Sequence, residues 1–305
     1  MTATALDTIT AAFVGALQAG TGALAAFSLP LLGVFAIIAF YVHMGPLVAS
    51  GSVNSGDALA SVLLLAVKMG IFYWLLIYLA PIATAAMETF LQWGMAAAST
   101  PISSATMMQP STIIDLGFKA VLPIQQLISR SAGWSNVWNY SNYFIYTVAK
   151  LAVLIAFFLV GLHLMMTIIE YHMAVLVGTV LIPWGVLQPT AFFTEFSIGW
   201  LTGGLVRLLV TGAIVGIAVP LFQILKLTTT PGDDPSLYSA IIMAFASLVF
   251  ALLSWIVPGR AASIAGRGVS LALHGGALIA GAAGGLRGII AVTSAIRGIS
   301  RMMQR

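Results

Sequence analysis

Residues able to do chemistry are few in this chain, and most of them sit in or beside apolar runs. The 305 residues include 12 Lys or Arg, 8 Asp or Glu, 4 His and no Cys. Lys68, Glu170, His172, Glu195 and Arg207 all lie in stretches too apolar for a soluble surface. An ionisable group at membrane depth is costly, so it marks a pairing inside the protein or a contact with a partner or lipid. Lys68 fits a contact with a partner acid or a lipid headgroup, and equally a side chain that snorkels or pairs within the fold. Glu170 and Arg207 are the other two candidates for such contacts. Metal chemistry has little to work with. Glu170 and His172 are two residues apart and point to different helical faces, His163 lies seven before Glu170, no HExxH occurs, and thiolate ligands are missing. There is no base–nucleophile constellation and no GxxxxGK[ST] phosphate loop. The expectation is therefore a non-enzyme with no catalytic, cofactor or metal site. Asp115 and Lys119, at i and i+4, read as a pair that supports a helix.

The element that must position these charges is the stretch Glu170–Val210, EYHMAVLVGTVLIPWGVLQPTAFFTEFSIGWLTGGLVRLLV. Pro183 and Pro189 flank Trp184 and Gly185, and a proline removes a backbone donor and clashes with the preceding turn. One apolar helix should end there and a second begin near Thr194 or Ser197. Gly199, Gly203 and Arg207 recur every fourth residue on one face. Glycines at that spacing let another helix approach closely, and an arginine in the same stripe favours an interhelical hydrogen bond. Gly212 and Gly216 repeat the spacing, and all four glycines are helix-packing candidates.

Composition places this element in a membrane. The chain is 60% hydrophobic and 7% charged, with a mean hydropathy of +1.06. Soluble domains carry about 25% charged residues, so a single soluble core is excluded. The fold class expected is all-α, a polytopic transmembrane protein of five or six spans with an extramembrane helical insert. Residues 1–23 hold no Lys or Arg; a cleaved signal peptide needs a basic start, and an interfacial helix is expected instead. Residues 24–81 hold the first two spans, the first ending at Gly45-Pro46 and the second at Pro81. Residues 82–143 are richer in Pro, Ser and Asn, with Trp134, Trp138, Tyr140 and Tyr143 clustered as at a membrane–water interface. Two short amphipathic helices are expected in this insert, near 84–95 and 111–129. Residues 144–257 form the transmembrane core, with runs at 144–166, 173–187, 198–225 and 236–257 and a polar loop TTTPGDDPS at 228–236. Residues 258–305 are a Gly/Ala-rich tail with Arg260, Arg267, Arg287, Arg297, Arg301 and Arg305, and no acid follows Asp234. The positive-inside rule makes that tail cytoplasmic, and its arginines suit anionic lipid, DNA or a cytoplasmic ATPase. The run 173–187 leaves parity open. A full crossing gives six spans and a cytoplasmic insert; a re-entrant piece gives five and a periplasmic insert.

Three stretches carry a resemblance. PSTIIDLGFKAV at Pro110–Val121, the Glu170–Val210 stretch, and LLSWIVPGRAASIAGRGVSLALHGGA at Leu252–Ala277 occur in the order seen in the TrbL family, the polytopic inner-membrane subunit of type IV secretion and conjugation machines, equivalent to the sixth VirB component. The resemblance covers most of residues 20–280; the short tail departs from longer members. It implies five spans, a periplasmic insert and a non-enzymatic role in the bacterial inner membrane. It further implies a homo-oligomeric ring that contacts the secretion ATPases, the pilin and minor pilin, and the envelope-spanning scaffold, while DNA–relaxase or effector substrates pass. The rival class is a secondary transporter of a small solute, because broken helices and isolated membrane charges are also transporter features. No repeated pair of broken spans supports it.

Overall fold

The computed structural model describes residues 3–49, 55–98, 108–131, 140–227 and 237–272. These form six α-helices and two short 3-10 turns, with no strand among the described residues. Helix α1 is Ala3–Ala49, α2 Ser55–Ala97, α3 Pro110–Ser131, α4 Tyr140–Leu181, α5 Ala191–Leu227 and α6 Leu237–Ala272. All but α3 are long and apolar enough to cross a membrane, which makes five spans. The run at 173–187 is not a span of its own: it continues the helix that begins at Tyr140, and this resolves the parity in favour of five.

Several boundaries expected at glycine and proline are absent. Residues 3–49 form one helix, so neither the change at 23/24 nor Gly45-Pro46 breaks it. Pro81 lies inside α2, and 84–95 is the continuation of that helix rather than a separate amphipathic piece. Pro123, Pro220 and Pro258 also lie inside helices. A proline deletes one donor, but among packed apolar helices no competing water rewards opening the turn, and an interior proline is tolerated. Where Pro183 and Pro189 flank Trp184 and Gly185, by contrast, the chain leaves the α-helix for two 3-10 turns.

Helix α4 is the centre of the bundle. Val153, Phe157, Val160, Leu164, Ile168, Tyr171 and Val175 follow helical spacing and are buried along one stripe. Its outer face carries Leu151, Ile155, Phe158 and Met166 exposed. Large apolar side chains likewise point outward from α1, α2, α5 and α6, among them Phe27, Leu63, Val67, Ile217 and Leu252. A soluble fold would not present so many; lipid satisfies them. Hydroxyls inside the helices bond to the carbonyl one turn back, as Thr21 does to Leu17, Thr179 to Val175 and Ser247 to Met243, so little polarity is left bare.

Helix α3 is the amphipathic helix expected in the insert, and it lies antiparallel along the first half of α4. A Cβ on Gly117 would sit 2.5 Å from Phe157 Cβ, and one on Gly161 would sit 3.1 Å from the Pro110 carbonyl. Lys150 Nζ donates to Gln125 Oε1 at 2.9 Å further along. The start of α3 is pinned by α1: the Ser111 amide donates to Asp7 Oδ1 at 3.0 Å, and the Ser111 hydroxyl donates to Asp7 Oδ2. A carboxylate there satisfies an orphan donor of the first turn and complements the helix dipole.

Candidate functional site

The break between α4 and α5 gathers backbone carbonyls, and those of Leu181, Ile182, Trp184, Val186 and Leu187 are met by donors. After Leu181 the chain runs through the 3-10 turns Ile182–Val186 and Gln188–Thr190, joined by an extended Leu187 (φ −90°, ψ 129°). Pro183 and Pro189 each start a turn, where a missing amide costs nothing. Helix α5 begins at Ala191, a turn before the expected Thr194 or Ser197. Interrupting the α-helix frees carbonyls that lipid cannot hydrate. Thr194 Oγ1 donates to the Leu181 and Ile182 carbonyls at 2.8 and 3.1 Å, and Thr190 Oγ1 donates to the Trp184 carbonyl at 2.7 Å. The Thr190 amide donates to the Leu187 carbonyl at 3.2 Å.

The Val186 carbonyl takes Lys68. Lys68 Nζ donates to it at 2.8 Å from α2, and lies 6.0 Å from the centre of the Phe72 ring. Sequence spacing could not have joined these residues, which are 118 apart. The two residues that give the break its shape are Trp184 and Gly185. Trp184 stands edge-on to Phe35 of α1 and to Phe193 of α5, with ring centres 5.0 and 5.5 Å apart. A Cβ on Gly185 would come within 2.6 Å of the Phe72 ring and 2.7 Å of Thr194 Oγ1. A side chain at this position would have to displace the Phe72 ring of α2 or the Thr194 hydroxyl of α5.

Glu170 and Arg207 meet across α4 and α5, where an Arg207 Nη donates to Glu170 Oε2. The Arg207 Nε is buried without a hydrogen-bond partner, and so is the Nε2 of His163, which lies two turns before Glu170 on the same face of α4. The His163 ring stacks on Trp255 of α6, with centres 5.2 Å apart. The Glu170–Arg207 pair lines an open groove of about 740 Å³ between α4, α5 and α6. Phe192, Glu195, Phe196, Trp200 and Ser263 line it as well. His172 is turned away from this groove, and its Nδ1 is 2.9 Å from the Ile168 carbonyl. No three His, Asp or Glu side chains gather for a metal among the described residues.

The glycine stripe is a close crossing of α5 and α6. A Cβ on Gly199 would sit 2.9 Å from the Gly266 carbonyl oxygen, and one on Gly203 would sit 3.1 Å from that of Ala262. Gly199-x3-Gly203 therefore faces Ala262-x3-Gly266, small residues on both sides. Gly212 makes a second crossing, to α2, where its Cβ would lie 2.9 Å from the Leu91 carbonyl oxygen. Gly216 is buried on the same helix. The partner that sequence reasoning missed is Gly94, whose Cβ would stand 2.1 Å from the Leu209 carbonyl oxygen. No pair of glycines marks it in the sequence, because the residues four before and four after it are Phe90 and Ala98. Arg260 is exposed. The Arg267 side chain, Arg287, Arg297, Arg301, Arg305 and the loop 228–236 lie outside the described residues.

A comparison with curated proteins gave no match. The family model for the TrbL/VirB6 plasmid conjugal transfer proteins matches residues 37–257, from the last third of α1 through most of α6. That is well over half the chain, and it contains the Pro183–Pro189 break, the Glu170–Arg207 pair and both glycine-bearing faces of α5. With the match covering that share of a helical chain with five membrane-length spans, the chain belongs to the TrbL/VirB6 family, whose members are components of conjugal transfer and type IV secretion.

Proposed function

We propose that this chain is an inner-membrane platform subunit of a type IV secretion system, supporting pilus assembly and the passage of DNA–protein or protein substrates. The observation that carries this reading over a solute transporter is Lys68 on the Val186 carbonyl. In transporters with broken helices, unwound carbonyls coordinate the coupling ion. Here a tethered ammonium and two threonines already occupy those carbonyls, so the break works as a fixed joint between spans. Glycine crossings on two faces of α5 fix the neighbouring helices in the same way.

In this arrangement several copies form a ring. The α3 end faces the periplasm, where stalk and pilin subunits and the envelope-spanning scaffold engage, and the basic tail faces the cytoplasmic ATPases. The exposed apolar faces meet lipid and neighbouring protomers. Deleting the chain from a conjugative donor should abolish both plasmid transfer and piliation, with recovery when the intact chain is supplied in trans. Transfer and piliation unaffected by the deletion would sink the proposal and direct attention to solute uptake.

A further inference from the structure

Beneath α3, at the end of the bundle away from the helix break, lies a half-open cavity of about 160 Å³. Its walls come from four helices: Ile113, Leu116 and Ala120 of α3, Phe157 of α4, Val215, Ala218, Val219 and Phe222 of α5, and Phe250 of α6. Phe157, Phe222 and Phe250 form an aromatic trio, with ring centres 4.8 to 5.9 Å apart. The one charged residue lining it is Lys119. Although placed at i+4 from Asp115, Lys119 forms no ion pair with it, nor with another described residue. Beside the cavity Phe118 and Leu122 of α3 and Ile217 and Leu221 of α5 are exposed. So the mouth opens onto an apolar surface, with a free ammonium on its rim.

We propose that this cavity is a phospholipid site, taking one acyl chain among the three phenylalanines and the phosphate of an anionic headgroup at Lys119. The volume holds a length of single chain and is too small for a helix. An amphipathic helix at the membrane interface puts its lysine at headgroup level while its apolar face reaches the acyl region. The apolar lining below and the unpaired cation above match the two parts of one lipid molecule. This inference is independent of the secretion reading.

The test uses the full chain in nanodiscs doped with phosphatidylglycerol carrying a diazirine near the end of one acyl chain, with the matching phosphatidylcholine as control. After irradiation the adducts are mapped by peptide mass spectrometry. Expected are adducts at the lining residues Val215, Ala218, Val219, Phe222 or Phe250. Lys119→Gln, on an exposed position, should lower phosphatidylglycerol labelling roughly fivefold and leave phosphatidylcholine labelling unchanged. Ala218→Trp fills the cavity and should remove the adducts from both probes. Adducts confined to outward-facing residues such as Leu63 or Val67 overturn the site. Equal labelling by the two probes, unmoved by Lys119→Gln, overturns the anionic headgroup.

Discussion

Lys68 shows how a charge at membrane depth is made tolerable by one hydrogen bond. Its ammonium reaches the Val186 carbonyl of the break, which no threonine serves. Replacing it by methionine leaves the Val186 oxygen bare in an apolar setting, a loss of about 1–3 kcal/mol. Thermal unfolding of Lys68→Met in mild detergent should show that loss as a lowered midpoint, and an unchanged midpoint would remove the joint role. Arg207 and Glu170 make the second such arrangement. Their side chains are 24% and 44% exposed, so the ~3–5 kcal/mol lost on breaking a fully buried pair is reduced here to about 1–2 kcal/mol. Glu170→Gln should be destabilised by that amount, and the swap Glu170→Arg with Arg207→Glu should recover part of it. The sequence showed these charges as misfits in apolar runs and put Arg207 on the helix-facing stripe. It could not name their partners, because Lys68–Val186 and Asp7–Ser111 join residues 118 and 104 positions apart through tertiary packing alone.

At the scale of the elements, α5 is held from both sides by glycines, and the spacing at each crossing ranks the expected damage. Gly94→Ala pushes a methyl against the α5 backbone, where the Leu209 oxygen is 2.1 Å from the new Cβ. Neither atom is the end of a flexible side chain, so α2 and α5 must part, at about 1–3 kcal/mol. Gly203→Ala, at 3.1 Å from the Ala262 oxygen, should be milder, whereas Gly203→Leu should stop assembly. Gly259→Ala meets nothing within 4 Å and should stay within about 0.5 kcal/mol of the parent. Folded yield and melting in detergent rank the four; a Gly94→Ala as stable as Gly259→Ala would contradict the crossing. Helix existence and the Pro183–Pro189 break were legible, since hydrophobic runs and a Pro-Trp-Gly cluster are local signals. Helix ends were not. Single prolines at 46 and 81 and the polar residues between 166 and 173 look like boundaries in a chain read against water, and lipid and neighbouring helices carry the helix through them.

The whole molecule is longer than a membrane is thick. The five spanning helices have 36 to 47 residues, or roughly 54–70 Å at 1.5 Å per residue, against a hydrocarbon core of about 30 Å. Tilt absorbs part of the excess; the rest must project beyond the bilayer or meet other protein. One end of that excess is braced by α3 lying against α4, with Asp7 of α1 at its start. A stiff, glycine-locked bundle with a braced overhang suits a platform on which other subunits stand. It would be a poor rocking transporter, since both faces of α5 are fixed to their neighbours. Five or six spans and the insert helix were legible from composition and turn residues, and the family from the order of three stretches; the choice of five came only from the resemblance, because the residues around 173–187 left parity open. The length of the overhang was not, because it depends on helices fusing across expected breaks. The central claim is assembly as a multi-copy secretion platform. Extracting a C-terminally tagged chain from its native host in mild detergent, then sizing the particle and identifying its contents, tests it most directly. The account predicts a large particle with several copies of this chain, an ATPase and pilin-like subunits. A monomer or small dimer that brings none of them along, even after cross-linking, would contradict it.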